Sequence, residues 1–364
     1  MKFIAFHLPQ YHPIPENDMW WGNGFTEWRN VAQAKPLFRG HYQPHVPADL
    51  GFYDLRLPEA RIAQAELAKK FGIDGFCYFH YWFNGKRLLE RPVDEIIASG
   101  KPDFPFCLCW ANQTWEGRWH GIVKEKKILL KQEYSKEDDL NHIRWLAQAM
   151  VDNRYIRVDD RPVFVIYDPL NLPDPERTIV AWRKEFTKLG LCNPYLIGLN
   201  SCSGIKRLSS IGLDVVVQHL PQLNVLNNGV SGLGQKIRRF IQNAGRGNFS
   251  SDLQLYDYEE SLNEMIDKYL DSVVYRSLCP SWDNTSRCGN HGVVLIDSTP
   301  QKFENLLYRL SLQTIKHFAE NRQILFLNAW NEWAEGNHLE PDLKYGLDYL
   351  EAVKNTKNRL LTLK

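Results

Sequence analysis

The amino-acid sequence predicts an α/β fold, a single (β/α)8 TIM barrel that spans residues 1–364 as one domain. Three observations lead to this prediction. Short apolar runs alternate with helical patterns about eight times, and no obvious linker interrupts them. The apolar runs are almost continuous, which is typical of parallel strands that are buried on both faces of a sheet. No G-x-G-x-x-G segment follows the first run, so a doubly wound open sheet is the weaker alternative.

The strands are predicted from runs rich in apolar, β-branched and aromatic residues. The first run ends at Pro9, which cannot donate a backbone hydrogen bond to a sheet. The eight predicted strands cover residues 2–8, 73–82, 104–112, 161–167, 195–200, 213–220, 273–282 and 322–330.

The helices are predicted from apolar residues that recur every three or four positions. Ser135 and Thr299 stand where an N-cap residue is expected, and Pro58 stands at a first helical position. The predicted helices cover residues 58–71, 88–99, 135–153, 174–190, 203–210, 258–270, 299–320 and 345–358.

Two long segments are left between the predicted elements, residues 9–57 after strand one and residues 221–256 after strand six. Both follow the end of a strand. Because the carboxyl ends of all barrel strands meet at one end of the barrel, we expect both segments to lie there, where proteins of this fold carry their functional sites.

Charge and composition exclude several classes of protein. Lys and Arg number 44 and Asp and Glu 43, so the net charge of +1 offers no general attraction for nucleic acid. No run of roughly 18 apolar residues occurs, so no membrane span is expected. The N-terminus lacks the pattern of a secretory signal, and seven cysteines cannot all pair within one chain. A reducing, cytoplasmic location is therefore predicted.

Polar and aromatic side chains recur where the predicted strands end. Amides and imidazoles hydrogen-bond to hydroxyl groups, and indole rings stack on the C–H face of a pyranose. Any barrel rim carries some polar residues, but their recurrence at every strand end predicts a carbohydrate site. The candidate substrate-binding residues at these ends are His7, Tyr11, His12, His80, Tyr81, Trp82, Trp110, Asn112, Tyr167, Asn200, Trp282, Asp283, Asn328 and Trp330, and the same ends also carry Gln10, Trp115 and His219.

Three further candidates lie in predicted loops. Glu27 and Trp28 belong to the segment after strand one, where Glu27 is a candidate for hydrogen bonds to sugar hydroxyls. An ion pair between Glu27 and Arg29 is the alternative. Glu340 is a candidate for orienting catalytic carboxylates from behind, with a place on the loop surface as the alternative.

The segment with the most specific chemistry is W-N-E-W-A-E, residues 330–335. Glu332 and Glu335 are three residues apart, so a helical turn would place their Cβ atoms about 5–6 Å from each other. Retaining glycosidases use two carboxyl groups at about that distance, and their mutual repulsion raises the pKa of one of them. The alternative is a glutamate pair that is merely stabilised at a helix N-terminus. The position after the last strand, beside Trp330 and Trp333, favours a catalytic acid and base.

Neither a metal ion nor another cofactor is expected. His41 and His45 are separated by Pro44, which disfavours the helix that a zinc protease motif needs. Cys107 and Cys109 lie on one side of a predicted strand, but no further pair of ligands has the spacing of a zinc site.

Several motifs in order resemble the WbsX family of lipopolysaccharide and O-antigen biosynthesis, which is related to glycoside hydrolase family 99. They are FHLPQYHPIPEND and WWGNGFTEW within residues 6–28, GIDGFCYFHYWF at 72–83, CWANQTW at 109–115, PSWDNTSR at 280–287 and NAWNEWAEGNHLEP at 328–341. The resemblance implies a (β/α)8 barrel and the activity of a retaining, endo-acting α-mannosidase or α-mannanase.

The family 99 E-x-x-E motif corresponds to Glu332 and Glu335 in this sequence. By this resemblance, the 2-hydroxyl of the substrate is the nucleophile and a 1,2-anhydro sugar is the intermediate. Glu332 would deprotonate that hydroxyl, and Glu335 would protonate the leaving oxygen and then activate water.

Two other functions remain open. One is a glycosyltransferase or transglycosylase of O-antigen or lipopolysaccharide biosynthesis, although no D-x-D motif for a nucleotide sugar is found. The other is a glycan-binding barrel without catalysis, which would not require two neighbouring carboxylates. The expected partner is an oligosaccharide or polysaccharide, and a lipid-diphosphate-linked form of it is a further hypothesis.

Overall fold

A computed structural model describes residues 1–117, 127–200, 205–223, 226, 250, 252–270 and 272–363. Eight parallel strands form its central sheet, and β1 pairs with both β2 and β8, so that the sheet closes into a barrel. The strands are β1 (Lys2–His7), β2 (Gly75–Phe83), β3 (Phe106–Trp110), β4 (Arg161–Ile166), β5 (Tyr195–Asn200), β6 (Val215–Gln218), β7 (Tyr275–Leu278) and β8 (Ile324–Leu327). The predicted fold class is confirmed.

Eight helices of the described residues alternate with these strands. The helices are α1 (Pro58–Lys70), α2 (Arg91–Ser99), α3 (Lys136–Met150), α4 (Pro175–Lys188), α5 (Ile205–Ser209), α6 (Tyr258–Asp267), α7 (Pro300–His317) and α8 (Asp348–Leu361). The predicted caps are confirmed, since the hydroxyls of Ser135 and Thr299 accept hydrogen bonds from the backbone N–H groups of Asp138 and Lys302.

The last two strands are shorter than the predicted runs 273–282 and 322–330. Apolar residues continue past the ends of β7 and β8, and those after β8 still bond the neighbouring strands β7 and β1. The N–H of Asn328 donates to the oxygen of Leu278 at 2.9 Å, and that of Trp330 donates to the oxygen of Phe6 at 2.8 Å. The apolar pattern therefore shows how far the buried segment extends, whereas the strands themselves end at Leu278 and Leu327.

The loops at the carboxyl ends of the strands contain most of the additional structure. The predicted segment 9–57 contains helices Pro15–Trp21 and Glu27–Gln33, whereas most of segment 221–256 lies outside the described residues. The β3–α3 loop contains strands Trp115–Glu116 and Ile128–Leu130, and the β7–α7 loop contains Trp282–Asp283, Thr285–Cys288, Gly289–His291 and Val293–Ile296. The β8–α8 loop contains Asn331–Glu332, Trp333–Glu335 and Asn337–His338.

Short elements elsewhere complete the chain. Strand Val293–Ile296 pairs with Gln254–Asp257 and with Trp282–Asp283 in a small separate sheet. The remaining short elements are Lys86–Leu88, Arg157–Val158, Pro169–Asn171 and Glu320–Arg322. None of the helices within the described ranges combines the length and hydropathy that a bilayer crossing requires. The six described cysteines are free.

Aromatic rings fill the upper part of the barrel interior. The ring of Phe6 on β1 stacks against Phe79 on β2 at 5.7 Å and against Phe326 on β8 at 5.2 Å. His219, just after β6, meets the edge of Phe6 at 5.4 Å. This layer closes the barrel and forms a base on which a site can rest.

The first testable prediction concerns the contact between β2 and the start of β3. A Cβ atom on Gly75 would lie 2.8 Å from the backbone oxygen of Pro105, which cannot rotate away. We expect Gly75→Ala to lower the free energy of unfolding by about 1–3 kcal/mol, measured by urea denaturation. Gly117→Ala is the control, because the nearest atom of the described residues to its Cβ would be the backbone oxygen of Lys127 at 3.6 Å. Equal stability of the two variants would contradict this packing argument.

Candidate active site

A cavity of about 520 Å³ opens at the carboxyl ends of the barrel strands. Its volume is within the range of pockets that enclose small organic ligands. The described residues that line it follow or end every strand except β5, and many are aromatic. The aromatic lining residues are Trp21, Phe79, Tyr81, Trp115, Tyr167, Trp282 and His219.

The floor of this cavity carries a cluster of charged side chains. Arg287 donates hydrogen bonds to Glu335 at 2.6 Å, to Glu332 at 3.1 Å and to Glu27 at 3.2 Å. Glu27 begins a helix of the β1–α1 loop, Arg287 lies in the short helix of the β7–α7 loop, and both other glutamates lie in the β8–α8 loop. Three loops that are distant in sequence therefore meet at one guanidinium.

A tight hairpin presents the two glutamates of the β8–α8 loop. Residues Asn331–Glu332 pair antiparallel with Asn337–His338, and the turn between them is a 3-10 helix, Trp333–Glu335. Gly336 closes this turn with φ of 54°, and a Cβ atom there would lie 2.8 Å from the Cβ of Asp283. Only glycine fits both the backbone angle and the close approach.

The hairpin is anchored to the first strand by Asn331. Its side-chain oxygen accepts the N–H of Leu8 at 2.7 Å, and its amide nitrogen donates to the oxygen of Leu8 at 3.0 Å. The hydroxyl of Tyr11 donates to the backbone oxygen of Asn331. The residues between the two tryptophans are thereby held against the barrel.

Charge balance decides the protonation of the cluster. Three carboxylates face one guanidinium in a buried place, so full ionisation would leave an excess of negative charge. Burial and the neighbouring Glu335 raise the pKa of Glu332 to about 8, although Arg287 acts in the opposite direction. Burial also raises the pKa of Glu335. The pair therefore retains a proton at neutral pH.

Arg287 remains charged throughout this range. Burial alone would lower its pKa, but Glu27, Glu335 and Glu332 together raise the pKa well above its usual value. A permanently charged arginine beside a pair that shares a proton is an arrangement suited to acid and base chemistry.

Glu340 supports the hairpin from below the cavity. Its carboxylate accepts hydrogen bonds from Trp333 Nε1 at 2.6 Å, from Gln64 at 2.7 Å and from the Tyr53 hydroxyl at 2.9 Å. Burial raises the pKa of Glu340 to about 7. Glu340 fixes Trp333, the residue next to Glu332, and it does not line the cavity.

The structure brings together some of the predicted site residues and separates others. Those that line the cavity are Tyr81, Tyr167, Trp282, Asn328, Glu332 and Glu335. Glu27 joins them through Arg287. The side chain of Asn200 lies outside the described part of the chain. The predicted residues that do not line the cavity are His7, Tyr11, His12, Trp28, His80, Trp82, Trp110, Asn112, Asp283, Trp330 and Glu340.

Strand periodicity explains much of this separation. Successive side chains of a strand point to opposite faces, so Phe79 and Tyr81 face the cavity, whereas His80 and Trp82 face the surrounding helices. His80 lies 3.0 Å from His142 on α3, and Trp82 donates to Asp138 at 2.9 Å. Aromatic and imidazole residues here pack the barrel against its helices.

The other predicted residues outside the cavity connect neighbouring segments. Asn112 bonds both the N–H and the oxygen of Asp168, at 2.8 and 2.7 Å. Trp28 donates to the oxygen of Tyr53 at 2.7 Å. The ring of His7 contacts Tyr78 at 4.6 Å. His12 hydrogen-bonds to the backbone oxygen of Pro9, and Trp110 donates a hydrogen bond to the backbone oxygen of Trp82. The ring of Trp330 packs against the ring of Phe76.

Arg287 is the charged residue that sequence reasoning missed. It ends the motif PSWDNTSR, and nothing in that local pattern distinguishes it from the other arginines. The available signal is indirect, because a buried pair of glutamates requires a cation nearby. Trp21 and Asn17, in the β1–α1 loop, also line the cavity without having been predicted.

Comparisons with known proteins agree with this architecture. Among solved structures, a glycoside hydrolase-like protein is 14% identical with a TM-score of 0.60, and the match covers 98% of this chain and 93% of that one. The family 99 endo-α-mannosidase from Bacteroides thetaiotaomicron is 14% identical with a TM-score of 0.59, covering 99% and 97%. These likenesses show that the chain shares the family 99 barrel fold.

Residues 3–353 match the family described as glycosyltransferase WbsX, and the chain belongs to this family. It is thus a member of a family of glycan-active enzymes. Two relatives, each called uncharacterized protein WxcX, come from two strains of Xanthomonas campestris pv. campestris. Each is 39% identical over 359 residues, which is 98% of this chain and 49% of the relative. The chain spans about half the length of the curated relatives it matches.

The second testable prediction concerns Arg287. Without its guanidinium, the pKa values of Glu332 and Glu335 rise further above those of the unfolded chain. When folding raises the pKa of a carboxyl group, the free energy of unfolding falls as the pH rises from the pKa in the unfolded chain to the pKa in the folded chain. We therefore expect Arg287→Gln to lower the free energy of unfolding by about 3–5 kcal/mol near pH 8 and by less near pH 5, measured by urea denaturation.

Arg287→Lys is the matched control, because it keeps the charge and loses only the fork of donors. It should recover part of the stability at the higher pH. A loss for Arg287→Gln that is the same at both pH values would argue against the electrostatic role of Arg287.

Proposed function

We propose that this chain cleaves α-linked glycan with retention, in the manner of endo-acting α-mannosidases or α-mannanases. We further propose a bacterial surface polysaccharide or a related oligosaccharide as its substrate. The observation that carries the proposal is the Glu332–Glu335 pair, held by Arg287 on the floor of an aromatic-walled cavity. Retaining hydrolysis requires one carboxyl group that donates a proton and one that is ionised. A buried pair that shares a single proton supplies both.

The proposed reaction has two steps. In the first, Glu332 accepts the proton of the sugar 2-hydroxyl while that oxygen attacks C1, and Glu335 donates its proton to the leaving glycosidic oxygen. In the second, Glu335 takes a proton from water, water opens the 1,2-anhydro ring at C1, and O2 regains its proton from Glu332. Both carboxyl groups end in their starting state, and one water molecule is consumed for each bond broken.

Before substrate binds, the shared proton favours Glu332. Glu332 is the more buried of the two, with its side chain 10% exposed against 23% for Glu335, and Glu335 has the shorter contact with Arg287. The proposed roles require the proton on Glu335 in the complex. We propose that sugar binding moves the proton from Glu332 to Glu335, because a 2-hydroxyl beside Glu332 stabilises the ionised form of Glu332. The transfer leaves the charge of the cluster unchanged.

The walls of the cavity support a sugar substrate. Trp21, Trp115 and Trp282 present indole rings to the cavity, and Tyr81 and Tyr167 add phenol rings. Trp115 and Tyr81 pack edge to face at 5.1 Å, which fixes both rings before a ligand arrives. Rigid aromatic faces stack on the apolar sides of pyranose rings with little loss of side-chain entropy. We propose that these five rings and Asn328 contact the substrate.

The family description favours a second candidate, a glycosyltransferase or transglycosylase of O-antigen or lipopolysaccharide biosynthesis. Such an enzyme would use the same first step and differ in the second, because a sugar hydroxyl would replace water as the attacking group. A lipid-diphosphate-linked glycan is the proposed donor or acceptor in that case, and a cytoplasmic location stays a prediction. Product analysis separates the two candidates.

The third testable prediction is that Glu335→Gln lowers turnover at least about a hundredfold while glycan binding persists. Products from a panel of α-linked oligosaccharides in ¹⁸O-water, with and without nucleotide sugars, are analysed by mass spectrometry. Label at a new reducing end, absent in Glu335→Gln, supports hydrolysis. Glu351→Gln, an exposed position on α8, is the control. Longer unlabelled products would indicate a transferase, and unchanged turnover of Glu335→Gln would refute its role.

The fourth testable prediction concerns the nucleophile. Substrates that lack the 2-hydroxyl of the sugar at the cleaved bond should be inert, because the proposed first step has no attacking oxygen without it. Analogues that lack the 3-hydroxyl are the matched control and should still be cleaved. Efficient cleavage of the 2-deoxy substrate would exclude participation of this hydroxyl and leave a carboxylate as the nucleophile.

A further inference from the structure

A second cavity, of about 320 Å³, lies on the other side of Trp282, which lines both cavities. Its walls come from the β1–α1, β7–α7 and β8–α8 loops, the same three loops that build the charged cluster. The proposed glycan chemistry makes no use of it. Imidazole and carboxylate groups are concentrated in this cavity, and the buried ones are His41, His45, Asp283, His338 and Asp342.

Three of these side chains have ligand atoms that converge. Nδ1 of His45 lies 2.8 Å from Nε2 of His338, and the same Nε2 lies 3.9 Å from Oδ2 of Asp342. All three atoms lie within 4.8 Å of one another. The ligand atoms of a tetrahedral zinc site are about 3.4 Å apart, given metal–ligand bonds of about 2.0–2.1 Å. Small side-chain shifts would bring the three atoms to that spacing.

Neighbouring groups fix the orientation of His338 by hydrogen bonds, as residues around a metal site fix the orientation of the metal ligands. Nδ1 of His338 donates a hydrogen bond to the backbone oxygen of Glu340 at 2.9 Å, because a carbonyl oxygen can only accept. In the neutral ring, Nε2 therefore accepts the Nδ1–H of His45, and a bound metal ion would take the place of that proton while His45 carries its proton on Nε2. Histidines that bind metal commonly use their second ring nitrogen for such a hydrogen bond.

Asp342 is oriented in a similar way. Its Oδ1 accepts the N–H groups of Tyr345 at 2.6 Å and Lys344 at 3.0 Å. These bonds fix the carboxylate and turn Oδ2 toward His338. Oδ1 thus bonds the backbone of its own loop, and Oδ2 faces the imidazoles of His45 and His338.

We propose that His45, His338 and Asp342 form a binding site for a divalent transition-metal ion, of which zinc is the best match. Two imidazole nitrogens and one carboxylate oxygen are ligands typical of zinc and its neighbours in the first transition series, whereas calcium and magnesium prefer oxygen alone. The second cavity borders all three residues and leaves room for water as a fourth ligand.

The position of this site gives the metal a structural role. Two segments of chain run side by side here, since Ala48 N–H donates to the oxygen of Pro341 at 2.9 Å and Leu343 N–H to that of Val46 at 3.0 Å. The ring of His338 also stacks on Trp333 at 3.7 Å, within the hairpin that carries Glu332 and Glu335. The ion would join the β1–α1 loop to this hairpin. The proposal does not depend on the reaction that the first cavity performs.

The fifth testable prediction is the binding of one zinc ion per chain. The whole chain is stripped with a chelator, and zinc content after dialysis, zinc affinity by chelator competition and the visible spectrum with cobalt are measured. We expect stoichiometric zinc, cobalt bands typical of a site with nitrogen and oxygen ligands, and a higher melting temperature with zinc than without it. Absence of stoichiometric zinc in the wild-type chain would overturn the proposal without any variant.

Variants assign the ligands. His45→Ala and His338→Ala should each weaken zinc binding at least about a hundredfold and abolish the rise in melting temperature. His41→Ala is the control within the same cavity, because His41 bonds Asp283 and is not part of the cluster. The exposed His291→Ala controls for binding at the surface. Equal zinc binding by all four variants, each checked for folding by circular dichroism, would show that the cluster is held by hydrogen bonds alone.

Discussion

The guanidinium of Arg287 is surrounded by carboxylates from two other loops, and the upper part of the molecule is arranged around that contact. A buried carboxylate without a cation is costly, and three in one place could not all remain charged. The single positive charge of Arg287 stabilises the three carboxyl groups, but it cannot balance three negative charges. The residual imbalance keeps one proton on the Glu332–Glu335 pair, and that proton is what a glycosidic oxygen needs in order to leave. Stability and the proposed chemistry therefore depend on the same ion cluster.

The rest of the barrel end positions this cluster from below. Asn331 anchors the hairpin to β1 through two hydrogen bonds, and Glu340 holds the indole of Trp333. Both groups are buried and satisfied by neighbours, so the hairpin has little freedom to turn. The proposed reaction requires two carboxyl groups at fixed positions, and a rigid hairpin would provide them. The metal site that we propose would add a third constraint to the same hairpin, from the side of the second cavity.

The family description and the proposed hydrolysis can be joined in one reaction scheme. The chain belongs to a family described as glycosyltransferases, and it shares the barrel of a family 99 endo-α-mannosidase. In a retaining mechanism the activated sugar waits in the site for an acceptor, which is water in one case and a sugar in the other. In our proposal, water or a sugar hydroxyl as the acceptor decides between hydrolysis and transfer, and the chain spans about half the length of its curated relatives. The proposed first step is the same in both cases.

The sequence by itself determined the barrel, because eight apolar runs that alternate with capped helices allow few other folds. It also singled out Glu332 and Glu335, since two glutamates beside two tryptophans after the last strand form a local pattern. It did not determine which strand-end residues reach the cavity, as the outward-facing His80 and Trp82 show. Nor did it indicate Arg287, or the approach of His45 to His338, which lie 293 residues apart. Local patterns report periodicity and burial, whereas long-range charge pairing exists only after the chain has closed into a barrel.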